Sequence, residues 1–148
     1  MEIRKSKLID KDIIVGFQLN MARESEGLEL DYERLNKGVS AVYDDINKGI
    51  YYVVEADNKI IASLLITYEW SDWRNGQVLW IQSVYVIPEY RGKGVYKTMY
   101  SYLQEKVKND PGLLGLRLYV ERNNVNAQKV YEKTGMDGEH YRMFEWFK

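Results

Sequence analysis

The stretch VYVIPEYRGKGVY, residues 84–96, decides the fold because it changes from a strand pattern to a helix pattern across two glycines. Residues 79–87 are apolar on both faces apart from two polar positions, which predicts a central strand with helices on both sides. After Gly92 and Gly94, apolar residues recur at helical spacing. They are Val95, Met99, Leu103 and Val107. A central strand, a glycine turn and a helix in this order are typical of an α/β protein.

The glycine turn itself predicts an anion site. Glycines just ahead of a helix let successive backbone N–H groups point into one concavity, and the helix dipole adds positive potential there. Two common phosphate motifs do not fit Gly92 and Gly94. A P-loop would need G-x-x-x-x-G-K-[ST], and the dinucleotide fingerprint would need a third glycine.

Outward from this turn, the spacing of apolar residues predicts the remaining elements. They are a strand over residues 1–8, helices capped by Asp10 and Asp31, a hairpin of Ile50–Ala56 and Ile60–Trp70, a strand over residues 114–120, a short helix capped at residue 123 or 124, and a last strand over His140–Phe147. The order is β-α-α-β-β-β-α-β-α-β. It predicts an α/β fold with a mixed central β-sheet flanked by helices on both faces.

Length and composition narrow the class of protein. At 148 residues, with 45% hydrophobic and 29% charged residues, the chain is expected to fold as one domain over residues 1–148. The formal net charge of -1 argues against nucleic-acid binding. The chain has no cysteine and one histidine, so we expect neither a disulfide scaffold nor a metal site. No signal-peptide pattern or membrane-length apolar run is present, so we expect a cytoplasmic protein without a membrane partner.

Two motifs together resemble the GCN5-related N-acetyltransferase (GNAT) superfamily. The family's signature Q/R-x-x-G-x-G/A lies between a central strand and a helix, and Arg91, Gly94 and Tyr96 occupy its three named positions. Tyr96 departs from the small residue of the family pattern. A second motif follows downstream with the family's spacing, and its residues are Asn124, Ala127, Tyr131, Gly135 and Met136. The resemblance implies a GNAT-like acyl-CoA N-acyltransferase fold.

The same resemblance implies acetyl-CoA as cosubstrate. The backbones of Val84 and Val86 would pair with the pantetheine arm, the amides of residues 91–96 would hold the pyrophosphate, and Arg91 and Lys93 would add charge. The expected cofactor-binding residues are Val84, Tyr85, Val86, Arg91, Gly92, Lys93, Gly94, Val95, Tyr96 and Asn124.

The resemblance further implies direct attack of an amine on the thioester, with N–H groups of the central strand stabilising the oxyanion. Tyr131 matches the tyrosine that protonates the departing thiolate, although it could be a core residue. Many relatives carry a glutamate base where this chain has Gln82, and an amide cannot take a proton. Glu69 or Asp72 could replace it, and a neutral amine would reduce the need for a base.

The sequence says less about the acceptor amine and about the oligomeric state. Four carboxylates within residues 23–31 would suit a small cationic amine, and they are equally typical of an exposed loop. The alternatives are a protein lysine or N-terminal acetyltransferase and a non-catalytic acyl-CoA sensor. Trp70, Trp73 and Trp80 could line a pocket or fill the core. An exposed last strand is compatible with a homodimer.

Overall fold

The computed structural model describes all 148 residues, which divide into two compact units at residues 1–117 and 118–148. None of the helices combines the length and the hydropathy of a membrane-spanning segment. Apart from three short 3-10 helices, the first unit contains five strands and three α-helices, in chain order β1 (Glu2–Lys5), α1 (Lys11–Glu26), α2 (Tyr32–Asp44), β2 (Ile50–Ala56), β3 (Lys59–Ser71), β4 (Gly76–Val86), α3 (Val95–Asn109) and β5 (Leu113–Arg117). The second unit contains α4 (Val125–Lys133).

The five strands form one sheet in the order β1-β2-β3-β4-β5. The first four strands are antiparallel, and β5 runs parallel to β4. The predicted hairpin is confirmed: Asp57 and Asn58 have φ values of 50° and 59°, so both turn residues are left-handed, as a type I′ turn requires. The mixed central sheet is confirmed as well.

Helices cover both faces of this sheet. Successive side chains of a strand alternate between the two faces, so apolar residues of one strand can pack against helices on both sides. One core cluster combines α1 and α2 with alternate residues of β2. Its buried members are Ile14, Val15, Val39, Tyr51 and Val53. Between the last two, Tyr52 points to the opposite face, where its ring lies 5.6 Å from that of Tyr102 on α3. The sheet is therefore the middle layer of three.

The caps of the first two helices differ. Asp31 caps α2 as predicted, since its carboxylate accepts a hydrogen bond from the Arg34 amide at 2.7 Å. Asp10 precedes α1 but makes no capping hydrogen bond to that helix. Its carboxylate accepts instead from the Lys7 amide at 2.7 Å and from Arg4 Nη1 at 2.8 Å. Because the Asp10 carboxylate binds Arg4 and the Lys7 amide, it does not cap α1 as predicted.

The second unit contains the predicted short helix. Asn124 Oδ1 accepts a hydrogen bond from the Ala127 amide at 3.1 Å, which caps α4. Gly135 follows the helix with a φ of 87°, the left-handed conformation expected at a helix end.

The predicted last strand, His140–Phe147, is wrong for this structure because residues 139–148 form no regular secondary structure. The preceding strand is also shorter than expected, since β5 ends at Arg117. A strand needs a hydrogen-bonding neighbour, and the second unit contains one helix and no strand. The alternation of residue types alone does not provide that neighbour.

Candidate active site

The edge of β4 that faces β5 is open over its second half. Pairing between β4 and β5 ends at Trp80 and Arg117, whereas β4 continues to Val86. The Ile87 amide donates to the Ile61 carbonyl of β3 at 3.0 Å, so this end of β4 remains attached on the other side. Because backbone polar groups alternate along a strand, those of Val84 and Val86 are directed to the open edge.

A β-bulge interrupts β4 where this open edge begins. Leu65 pairs with Gln82 and Ser63 pairs with Tyr85, so β4 has one more residue than β3 between these pairs. Ser83 takes up the extra length with a φ of 52°. A bulge bends its strand and redirects nearby groups. The bulge lies just beyond the point where β4 and β5 stop pairing, and the sequence did not predict it.

The glycine turn follows directly and leads into α3. Gly92 and Gly94 have φ values of 73° and 79°, and a side chain added at either would meet no atom within 4 Å. Gly94 caps α3 without a side-chain hydrogen bond, and the helical bond from the Thr98 amide ends on its carbonyl. The first-turn amides of a helix have no partner within the helix, and the dipole makes this end positive. The geometry fits an anion.

Val95 and Tyr85 contribute differently from the glycines. Val95 is 2% exposed and belongs to the core, so only its backbone can face a ligand. Tyr85 is buried against Phe17 of α1, with ring centroids 5.1 Å apart. Tyr96 lies in the first turn of α3, and its ring stacks on Tyr100 at 6.1 Å.

A carboxylate of α1 holds the charged residue of this turn. Arg91 Nη2 lies 2.5 Å from Glu24 Oε2, and Arg91 Nε donates to the Val86 carbonyl at 2.9 Å. Glu24 Oε1 accepts from the Tyr85 hydroxyl at 2.8 Å. Desolvation opposes ionisation of Glu24, but the hydrogen bonds from Tyr85 and Arg91 outweigh it and hold the pKa of Glu24 below its usual value. Lys93 Nζ lies 5.2 Å from the Tyr90 ring centroid.

This arrangement was missed in the sequence analysis, although one signal was visible. Glu24 is one of the four carboxylates noted within residues 23–31. Two others are also engaged, since Glu29 pairs with Arg23 at 2.7 Å and Asp31 caps α2. Glu26 remains exposed. The acidic stretch is therefore largely used within the chain.

A polar cluster occupies one face of the sheet where β3, β4 and β5 meet. Arg117 Nη1 donates to both oxygens of Glu69 at 2.8 Å, and Trp80 Nε1 donates to Glu69 Oε2 at 2.6 Å. Beside them, the Gln82 amide donates to Thr67 Oγ1 at 2.5 Å. Hydrogen bonds from Arg117 and then Trp80 hold the pKa of Glu69 below its usual value. Glu69 is therefore an ionised carboxylate and a weak base.

The end of β3 and the loop after it contain the other residues that the sequence suggested for binding or activating the acceptor amine. Asp72 accepts a hydrogen bond from the Trp73 amide at 2.9 Å. Trp70 and Trp73 are 60% and 92% exposed, so neither indole fills the core.

Two predicted site residues, Asn124 and Tyr131, belong to the second unit and lie at the start and near the end of α4. Burial raises the pKa of the Tyr131 phenol. The phenol therefore keeps its proton at neutral pH, as a proton donor must.

Comparison with known proteins decides the family. The family model described as "Acetyltransferase (GNAT) family" matches residues 19–136. The chain belongs to the GNAT acetyltransferase family. A crystal structure of a possible acetyltransferase from Clostridium difficile 630 is 46% identical, with 99% of this chain and 97% of that chain covered and a TM-score of 0.93. No curated protein matches the sequence.

Two more distantly related solved structures share the fold. A predicted acetyltransferase from Clostridium acetobutylicum, crystallised with acetyl-CoA, is 21% identical over 97% of this chain and 95% of that chain, with a TM-score of 0.75. Glucosamine-6-phosphate N-acetyltransferase from Arabidopsis thaliana is 23% identical over 99% of this chain and 98% of that chain, with a TM-score of 0.72.

GNAT acetyltransferases use acetyl-CoA as cosubstrate, and the first unit has the features that this ligand needs. The open edge of β4 offers strand-like hydrogen bonds to an amide-containing arm. The left-handed glycines and the positive start of α3 offer backbone donors to phosphate oxygens.

Proposed function

We propose that the chain, residues 1–148, is an N-acetyltransferase that transfers the acetyl group of acetyl-CoA to the primary amine of a small molecule. The observation that carries this proposal is the open edge of β4, which leads from the bulge at Ser83 to the glycine turn at Gly92 and Gly94. Acetyl-CoA presents a thioester, an amide-containing arm and phosphates in that order. The open strand edge followed by the glycine turn offers backbone hydrogen-bonding groups to them in the same order.

In this proposal the backbones of Val84 and Val86 bind the arm, and the amides of residues 91–96 bind the pyrophosphate. Lys93 adds positive charge at the turn, whereas the charge of Arg91 is shared with Glu24. Asn124 is assigned to the cofactor site through the family motif. The bound cosubstrate supplies a carbonyl carbon that an amine can attack.

The chain's own residues then stabilise charge and move a proton. Backbone N–H groups near Val84 stabilise the negative charge that develops on the carbonyl oxygen. Tyr131 donates a proton to the leaving sulfur, and its phenolate is reprotonated, through solvent, by the proton that the attacking nitrogen loses as the amide forms. Glu69 stays ionised, so we assign it to hold and orient the acceptor amine, which enters the reaction without its extra proton.

A small acceptor is supported by the polar cluster around Glu69. Arg117 neutralises its carboxylate, and Trp70 and Trp73 add exposed indole faces beyond the end of β3. A near-neutral polar surface with aromatic faces suits a small polar amine better than a long basic peptide.

The test is release of free thiol from acetyl-CoA over a panel of polyamines, amino acids, aminosugars, aryl amines and lysine peptides. We expect release with one small-amine class and a loss of about 10²-fold in kcat for Tyr131→Phe. Tyr141→Phe, a second tyrosine of the same unit, serves as the matched control and should keep its activity.

Other results would contradict the proposal in distinct ways. Release only with lysine peptides would make the chain a protein acetyltransferase. Acetyl-CoA binding without release for any amine would make it an acyl-CoA sensor.

A further inference from the structure

Helix α1 buries one polar side chain among apolar ones. Its buried residues are Ile14, Val15, Phe17, Gln18 and Ala22. Gln18 is 5% exposed, so its amide has lost most of its contact with water. A buried amide is costly unless it forms hydrogen bonds within the protein, so the position of its partner is informative.

The partner of Gln18 is the bulge of β4. Gln18 Nε2 donates to the Ser83 carbonyl in a long hydrogen bond of 3.5 Å. Ser83 has a φ of 52°, a left-handed conformation that residues other than glycine rarely adopt. Such a conformation persists only where the surrounding structure holds it. The hydrogen bond from α1 supplies part of that support.

The Ser83 carbonyl and the Val84 N–H belong to one peptide group. The chain contains no cis peptide bond, and a trans peptide directs its C=O and its N–H to opposite sides. A donor on the Ser83 carbonyl therefore fixes the direction of the Val84 N–H, which points away from the Gln18 amide. Rotation of this peptide would break the hydrogen bond from Gln18.

The residue after Val84 is held by the same helix. Tyr85 is 5% exposed, and its ring centroid lies 5.1 Å from that of Phe17. Its backbone pairs with Ser63 of β3. Phe17 and Gln18 are consecutive in α1, so two adjacent side chains of one helix hold the residues on either side of Val84.

We propose that Gln18 is a positioning residue for the reaction, because it holds the peptide between Ser83 and Val84 so that the Val84 N–H is directed at the acetyl carbonyl oxygen. This inference rests on the proposed function, in which that N–H stabilises the negative charge formed as the amine adds to the thioester carbon. A hydrogen-bond donor is most effective there when it is oriented before the charge develops. Gln18 acts from the opposite side of the peptide.

The first experiment separates kcat from cosubstrate affinity in Gln18→Met. Methionine removes the donor and nearly preserves the side-chain volume and the helix propensity. We expect kcat to fall about 3–10-fold, as for the loss of one hydrogen bond, and Kd for acetyl-CoA to stay within about twofold of wild type. Wild-type kcat in this variant would contradict the proposal.

The matched control is Ile14→Val, which truncates another fully buried residue of α1. It should lower Tm, because it removes a buried methylene group, and it should leave kcat unchanged. Equal losses of kcat in the two variants would show that packing of α1 alone matters, and they would contradict a specific role of Gln18.

An NMR measurement tests the direction of the N–H without any acceptor amine. In the wild-type protein, the Val84 amide proton should move further downfield with acetyl-CoA than with CoA, because only acetyl-CoA brings a carbonyl oxygen. In Gln18→Met this difference should be smaller, although both ligands still bind. The same difference in the variant as in wild type would overturn positioning by Gln18.

The outcomes distinguish this inference from the proposed function. If wild-type Val84 responds equally to the two ligands, its N–H is not the donor, and both the positioning role and the oxyanion assignment are wrong. If no amine is acetylated but the response depends on Gln18, the positioning role is supported and the proposed transfer is not.

A measurement on the wild-type protein covers the case in which circular dichroism shows that Gln18→Met is unfolded. The side-chain amide protons of Gln18 should exchange slowly with solvent in the free protein, as expected for a buried donor on the Ser83 carbonyl. Rapid exchange of these protons would contradict the hydrogen bond and with it the proposal.

Discussion

The Arg91 guanidinium lies 2.5 Å from the Glu24 carboxylate, and this ion pair joins the end of α1 to the glycine turn. The same carboxylate accepts from the Tyr85 hydroxyl, so one side chain of α1 holds both the end of β4 and the turn. Because the pKa of Glu24 is lowered, the pair is complete at neutral pH and is lost only as the pH falls below the ordinary range of a glutamate. We infer that Glu24 positions the turn rather than touching the ligand.

Glu24→Gln should raise KM for acetyl-CoA by about 2–5-fold and leave kcat nearly unchanged. The expected effect is small because both side chains are more than 40% exposed, and solvent screens such pairs. Steady-state kinetics at saturating amine will measure it. Glu26→Gln, an exposed carboxylate two residues further along the helix, should change neither constant. Equal effects of the two substitutions would show that only net charge matters.

Gly94→Ala and Gly38→Ala should change stability in opposite directions. Gly94 has a φ of 79°, which costs other residues about 1–2 kcal/mol, although the site has room for a methyl group. Gly38 lies exposed within α2 with open space around it, and alanine there should add about 0.5–1 kcal/mol. Urea unfolding will give both values. Stabilisation by Gly94→Ala would mean that the left-handed conformation is not required.

Much of the fold could be predicted from local patterns because the residues of a turn or a helix start determine its conformation without distant contacts. Asp57 and Asn58 tolerate the left-handed conformation of a tight hairpin turn, and Gly94 starts α3 without any distant contact. The segment 140–147 is different, since a strand exists only when another strand lies beside it. Alternation could indicate that strand but could not supply its partner.

The site divides in the same way. The backbone groups at Val84 and Gly94 follow from the strand–turn–helix motif. The bulge at Ser83 depends on the register between β3 and β4, which a single strand does not encode. The pairs of Glu24 with Arg91 and of Glu69 with Arg117 join residues 67 and 48 positions apart, so no local spacing could reveal them.

Asp10→Asn should destabilise the protein by about 2–3 kcal/mol, because the Asp10 side chain is nearly buried and accepts hydrogen bonds from Arg4 and the Lys7 amide. Thermal unfolding at pH 7 should show a Tm lower by about 4–12 °C. Asp12→Asn, at an exposed position nearby, should have little effect.

The pH dependence of Asp10→Asn gives a second check. The hydrogen bond from Arg4 is the main reason that the pKa of Asp10 lies below its usual 3.8. The contribution of the carboxylate is therefore fully present above that value and is lost as the pH falls through the lower pKa of the folded state. The difference in stability between wild type and variant should shrink only in that acidic range. A difference that already disappears between pH 6 and 5 would contradict the assignment.

The pH dependence of the reaction should follow the acceptor rather than the enzyme. Hydrogen bonds from Arg117 and Trp80 keep Glu69 ionised, so this carboxylate does not titrate near neutral pH. If the amine must arrive neutral, kcat/KM should rise tenfold per pH unit up to the pKa of the amine. Two acceptors of the same class with different amine pKa values should therefore give curves displaced by that difference. If the rising part of the kcat/KM profile lies near pH 6–7 for both acceptors, a base on the enzyme titrates there. Loss of that rise in Glu69→Gln would place the base at Glu69.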